Sequence, residues 1–272
     1  MSVQSTSPVA AVSPIVRRED AGRIVVLTLN RAAQRNVLSE AMLAALGENF
    51  SAIGSDRDVH AVVLAAEGPV FSAGHDLKEM TRHRADNDGG RAYFDELMAT
   101  CSAMMQQIVG LPQPVIAAVE GTATAAGCQL VASCDLAIAS SAAKFGASGI
   151  NVGLFCSTPM VALSRKVARK HAMEMLLTGD LVSAEEAWRI GLVNRVVEPG
   201  RARAQALDLA RRIAAKSPAA IRHGKQAFYR QIEMSLADAY RHTGDVLVEN
   251  MMEDEAEEGI EAFITKRTPN WE

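Results

Sequence analysis

Two stretches of small residues, Val70–Met80 (VFSAGHDLKEM) and Glu120–Leu130 (EGTATAAGCQL), are the parts of this chain best suited to hold a ligand through backbone. Each follows an apolar run that reads as a strand, and the second leads into a helix. Glycine and alanine let main chain approach a ligand closely, and free N–H groups at a helix start favour negative charge. Two such loops facing one another would present two N–H donors to one oxygen, as an enolate or other oxyanion requires. Tight packing explains small residues equally well, so both uses stay open on composition alone.

Few side chains nearby could move protons. His75 titrates near neutrality but also suits a permissive loop position. Asp76 fits a loop brace. Cys156 would form a nucleophile–base pair with His75 if the two met in space, although a small buried hydrophobe is the commoner role. Glu120 reads as structural. Between Leu97 and Ser164 only Glu120, Asp135 and Lys144 are charged, and there is no histidine. That stretch fits a buried sheet with its covering helices, and it also suits the wall of a dry pocket. No GxGxxG, GxxxxGK[ST] or HExxH pattern is present, and FGASG (145–149) is not a GxSxG nucleophile elbow.

The elements that must position these loops follow from periodicity. Arg23–Leu29, Val59–Ala65 and Val115–Val119 read as strands. Ser39 caps a helix whose Met42, Leu46, Phe50 and Ile53 recur at helical spacing. A second helix is expected from about Tyr93 to Val109, after a loop at Asp86–Gly90, and a helix and a strand between Gly121 and Ala139. Ser183 and Glu186 form a capping box before Gly191. Strands alternating with helices imply an α/β class with a largely parallel sheet. After residue 200 the pattern is helical throughout: Ala202–Lys216, Ala219–Ser235, Leu236–Asp254 and Glu257–Lys266. The expected organisation is a tail over residues 1–14, disordered, a core over 15–200 and a helical region over 201–272.

Composition narrows the function classes. A net charge of −4 and twelve aromatic residues offer no basic field and little base-stacking surface, so nucleic-acid binding is not expected. Four cysteines without ligand or pairing spacing read as free thiols of a reducing compartment, and no metal site is expected. The amino-terminal residues do not read as a signal peptide, and no run of about 18 apolar residues could span a membrane. The expectation is a soluble cytoplasmic protein.

VFSAGHDLKEM resembles the AGxDL(K) motif of the enoyl-CoA hydratase/isomerase (crotonase) superfamily. Four further segments agree in order: LNRAAQRNVLS (29–39), PVIAAVEGTATAAGCQLVASCDLAIAS (114–140), LLTGDLVSAEEAWRIGLVNRVV (176–197) and AFITKR (262–267). The resemblance runs from about Arg23 to Arg267. Within the superfamily, TATAAGCQLVASCD and NVGLFCSTP look most like the enoyl-CoA hydratase domain-containing group. It implies a crotonase-like α/β fold of repeated ββα units with a helical C-terminal trimerisation region. It also implies a lyase of fatty acid metabolism assembled as a homotrimer or hexamer. The ligand implied is an acyl-CoA or enoyl-CoA thioester, with coenzyme A part of the substrate and no separate cofactor.

Carried over by motif, the backbone N–H groups of His75 and Ala126 form the oxyanion hole. Alanine at Ala125 and Ala126, where the family commonly has glycine, keeps the donor provided φ stays negative. Ala73 belongs to the same CoA-binding loop, Lys78 matches a lysine that meets CoA phosphates, and Phe263 and Lys266 match terminal-helix residues that reach adenine, often from a neighbouring subunit. The two catalytic glutamates of family hydratases fall on Gln129 and Gly149. An aspartate that related isomerases and dehalogenases use near Ser157 is absent too. Water addition to a conjugated thioester needs a base and an acid. Glutamine and glycine supply neither, so ordinary hydratase activity is expected to be weak or absent. The alternatives are a non-catalytic acyl-CoA binding or regulatory protein, and a CoA-thioester hydrolase or isomerase.

Overall fold

A computed structural model describes residues 13–271. The tail expected over residues 1–14 lies, up to residue 12, outside the described residues. Among the described residues ten strands and eleven α-helices follow one another: β1 (Val16–Ala21), β2 (Ile24–Leu29), α1 (Glu40–Ser55), β3 (Ala61–Ala66), β4 (Val70–Ser72), α2 (Leu77–His83), α3 (Arg91–Gly110), β5 (Val115–Val119), β6 (Thr122–Thr124), α4 (Ala126–Ser133), β7 (Leu136–Ser140) and β8 (Lys144–Gly146). Then come α5 (Ser157–Lys166), α6 (Arg169–Thr178), β9 (Val182–Ser183), α7 (Ala184–Arg189), β10 (Arg195–Val197), α8 (Ala202–Ala214), α9 (Pro218–Gln231), α10 (Leu236–Met251) and α11 (Asp254–Thr265).

The large sheet runs β1-β2-β3-β5-β7-β10, parallel except for the β1–β2 hairpin. The small sheet runs β4-β6-β8-β9, with β9 antiparallel to β8. β3 is followed by β4, β5 by β6 and β7 by β8, so each central strand of the large sheet hands the chain to a short strand of the small one. After β4, β6 and β8 the chain passes into α2, α4 and, through a 3-10 turn at Ser148–Val152, α5. This repeated ββα order is the crotonase-like α/β architecture expected from the sequence.

All six residues of β2 are buried, because both faces of the large sheet are covered. Val25, Leu27 and Leu29 face the main core with Leu46 and Phe50 of α1. Ile24 and Val26 face the other way, with Ala61, Val63 and Ala65, toward Ala202, Ala206 and Ala210 of α8. The period-two alternation of a strand puts successive side chains into different layers.

α9 is tied to this frame by a buried cation. Lys225 Nζ donates to Asp135 Oδ2 at 2.8 Å, Gln113 O at 2.9 Å and Ile108 O at 3.0 Å. The same carboxylate oxygen accepts the Val115 N–H at 2.7 Å, which anchors the start of β5. Glu120 is structural as expected: its carboxylate accepts the N–H groups of Gly200 at 2.9 Å and Ala202 at 2.6 Å, at the entrance to α8.

Candidate active site

The three parallel strands of the small sheet end side by side, and their exit loops carry Ala73–Asp76, Ala125–Ala126 and Ala147–Gly149. A cavity of about 960 Å³ opens over those ends. Ala73, His75, Lys78, Ala126 and Gly149 all lie on its wall, so the structure brings together five of the eight site residues expected from the sequence. Gln129, Phe263 and Lys266 are not on it. Gln129 sits on α4, 4% exposed, and its Oε1 has no hydrogen-bond partner among the described residues. Phe263 stands 85% exposed on α11, and Lys266 caps that helix in the left-handed region.

The first two loops are pressed together by glycine. A Cβ on Gly74, whose φ is +86°, would stand 3.0 Å from the Ala125 Cβ and 3.2 Å from the Ala126 nitrogen. A Cβ on Gly127 would collide with the carbonyl of Ser72. The main chain at His75 and Ala126 is therefore adjacent. Neither N–H finds an acceptor among the described residues. The loop is pinned from behind by two bonds, Ala73 N–H to Arg35 O at 3.1 Å and Leu38 N–H to Gly74 O at 2.7 Å. Buried Asn36 supports it, donating to Glu67 O at 2.9 Å and Val70 O at 2.8 Å.

Ala125 departs from expectation. Its φ is +50° with ψ −123°, a conformation that suits glycine and strains alanine. The condition of negative φ fails at this residue. The donor itself belongs to Ala126, the first residue of α4, so the strain lies one residue before it.

Asp76 braces the loop: its Oδ1 accepts the N–H groups of Lys78 at 2.8 Å and Glu79 at 3.3 Å, capping α2. It is the one carboxylate on the cavity wall among the described residues. Arg35 and Lys78 lie on the same wall, exposed. Arg35 was not singled out from the sequence; its place in RAAQRN, directly before the buried Asn36, was the available signal. Met80, Met98, Val152, Leu154 and Phe155 supply the apolar lining.

Gly149 is closed to any side chain. A Cβ there would stand 2.5 Å from the Leu154 carbonyl oxygen and 2.8 Å from Cys156 Sγ. Cys156 is buried, which pushes its thiol pKa up and away from the reactive thiolate. His75 and Cys156 share the cavity wall, yet no hydrogen bond joins them: both ring nitrogens of His75 are without a partner among the described residues. The nucleophile–base pair is not formed.

Comparison with known proteins places this geometry. The family model described as enoyl-CoA hydratase/isomerase matches residues 19–272. The enoyl-CoA hydratase domain-containing protein 3, mitochondrial, of Rattus norvegicus is 46% identical over 94% of this chain and 83% of its own length. The protein of that name from Homo sapiens is 46% identical over 90% of this chain and 79% of its own. Among solved structures, an enoyl-CoA hydratase of Mycobacterium smegmatis superposes with a TM-score of 0.91 at 53% identity, covering 95% of this chain and 99% of that one. The human enoyl-CoA hydratase domain-containing protein 3 gives 0.89 at 44%, covering 94% and 100%. These relatives correct one expectation. The rat, mouse and human proteins are named mitochondrial, which overturns the cytoplasmic placement inferred from the cysteines, the amino-terminal residues and the lack of a long apolar run.

Proposed function

The chain belongs to the enoyl-CoA hydratase/isomerase family of the crotonase superfamily, and from that premise we propose that it binds an acyl-CoA or enoyl-CoA thioester through backbone while lacking ordinary hydratase chemistry. The observation that carries the proposal is the pair of adjacent, unpartnered N–H groups of His75 and Ala126 on the cavity wall. A thioester carbonyl placed between them would accept two hydrogen bonds that strengthen as charge moves onto oxygen. Each such donor is worth on the order of 10²–10³ in rate.

Water addition asks for more. One group must take a proton from water while another protonates the α carbon. Gln129 is neutral and stands behind the wall, Gly149 has no room for a side chain, and Asp76 is engaged by the α2 amides. The oxyanion hole is thus kept while both carboxylate positions are lost. Acyl-CoA binding without turnover is the second reading, and the same loss favours it.

The remainder of the ligand has candidate partners. Lys78 meets CoA phosphate, with Ala73 in the loop that backs it. Phe263 and Lys266 reach adenine only from a neighbouring chain, since they do not approach the cavity of their own. The apolar surface left open along α10, the residue that caps it and α11, including Leu236 at 77% and Met252 at 80% exposure, supports a homotrimer or hexamer. Isothermal titration with butyryl-CoA, together with a crotonyl-CoA hydration assay, tests the proposal. Saturable binding with turnover at least about a thousandfold below that of a two-glutamate hydratase is expected. No binding, or hydration at hundreds of turnovers per second, would refute it.

A further inference from the structure

We infer that the His75 imidazole takes and returns the α-proton of the bound acyl-CoA thioester, giving this site proton exchange at the α carbon in place of hydration; the inference rests on the acyl-CoA reading above. Five ionisable side chains line the cavity: Arg35, His75, Asp76, Lys78 and Cys156. Arginine and lysine hold their protons at neutral pH. Asp76 is fixed through Oδ1 as the cap of α2, and the Cys156 thiol is pushed away from ionising. His75 is the group left to accept a proton.

Among the histidines it is the one with both ring nitrogens buried and unpartnered; His242 has one, Nε2, among the described residues. His60 Nδ1 lies 3.2 Å from Ala214 O, and His223 Nε2 lies 2.8 Å from Glu253 Oε1. Both are held by a partner. Both nitrogens of His75 are shielded from solvent with no hydrogen-bond partner among the described residues. A buried imidazole that satisfies neither nitrogen is costly, and such groups call for a functional explanation. The Leu38 carbonyl stands near the ring without completing a hydrogen bond, so turning a nitrogen toward the cavity breaks none. Burial also draws its pKa below the ordinary histidine value, with the Leu38 carbonyl opposing that shift. The ring is therefore neutral, the form that accepts a proton.

The placement follows from covalent structure. His75 offers its N–H to the thioester oxygen, and the α carbon is bonded to that same carbonyl carbon. Backbone donor and side-chain base thus belong to one residue beside adjacent substrate atoms. In the step, the α C–H bond breaks and its proton forms an N–H bond on the ring. The electron pair passes to the enolate, whose oxygen lies between the N–H groups of His75 and Ala126. The imidazolium beside it balances the charge. In deuterium oxide the imidazolium exchanges with solvent before the proton returns, so deuterium appears at the α carbon without any other reagent.

The test uses the full chain and butyryl-CoA, which has an α-proton but no double bond to hydrate. Wild-type protein in deuterium oxide should label the α carbon, read by mass spectrometry, at least about a hundredfold faster than buffer. The rate should be flat near neutrality and fall as pH drops through the lowered His75 pKa. H75Q and H75A keep the backbone donor and, at saturating butyryl-CoA, should lose the exchange by about a hundredfold. Binding of butyryl-CoA by the wild type without exchange, or exchange in H75Q at the wild-type rate, would overturn the inference while leaving the binding proposal standing. Failure of butyryl-CoA to bind at all would overturn both.

Discussion

Gly149→Ala asks whether the position matched by motif to the second family glutamate has room for a side chain. The added Cβ would lie 2.5 Å from Leu154 O and 2.8 Å from Cys156 Sγ. Both distances are well inside van der Waals contact, and one neighbour is backbone, which cannot rotate away. Forcing a methyl group into so tight a site costs about 1–3 kcal/mol. At about 2–4 °C per kcal/mol for a domain of this size, the melting temperature should fall by about 4–8 °C for a cost near 2 kcal/mol. Cys156→Ala should relieve the sulfur contact but not the carbonyl contact, so Gly149→Ala should cost less in that background than in the parent. Thermal melts of the two single variants and the double variant give the coupling energy directly. A Gly149→Ala protein melting within about 1 °C of the parent would show that the 149–156 loop yields freely, refuting the steric reasoning. The same geometry bears on rescue. Gln129→Glu, and Gln129→Glu combined with Gly149→Glu, should leave crotonyl-CoA hydration low, because the second carboxylate has nowhere to stand.

Four further outcomes are expected. Lys225→Met leaves Asp135 buried beside the start of β5 without its cation; with side-chain exposures of 6% for Lys225 and 13% for Asp135, a loss of about 3–5 kcal/mol should appear in urea denaturation. A loss below about 0.5 kcal/mol would show that the clamp on α9 is dispensable. Lys78→Ala should weaken butyryl-CoA binding at least about tenfold and flatten its salt dependence, since a charge-assisted contact contributes about 1.5–3 kcal/mol. Unchanged affinity in titration would remove the phosphate role. Light scattering at micromolar concentration should give three or six chains, and Phe263→Asp should weaken CoA binding with little effect on the fold of its own chain; a monomer would reject the shared site.

The longer elements were legible in the sequence because each carries its own period. The β5 span Val115–Val119 is the one read from its apolar run, and Ser39 and Ser183 cap α1 and α7 through the N–H groups of Met42 and Glu186. The small sheet was not legible. β4, β6 and β8 are three residues each, too short to show alternation, and their meaning comes from lying side by side. β1 was missed because VRREDA is polar, an edge strand paired on one side. In the site, the motifs carried His75, Ala126 and Gly149 to one cavity. They could not show that Ala125 adopts positive φ, that Gly149 faces a carbonyl, or that His75 is left without partners. Those are properties of neighbours distant in the chain.

The most direct test is the absorbance of crotonyl-CoA mixed with a slight excess of the wild-type protein. Two backbone donors on the thioester oxygen polarise the conjugated system, so its absorption band should shift to longer wavelength on binding and then persist for minutes, because among the described residues Asp76 is the one carboxylate on the cavity wall. An unshifted band would contradict the oxyanion hole proposed for His75 and Ala126. A shifted band that vanishes within a second would contradict the loss of hydratase chemistry.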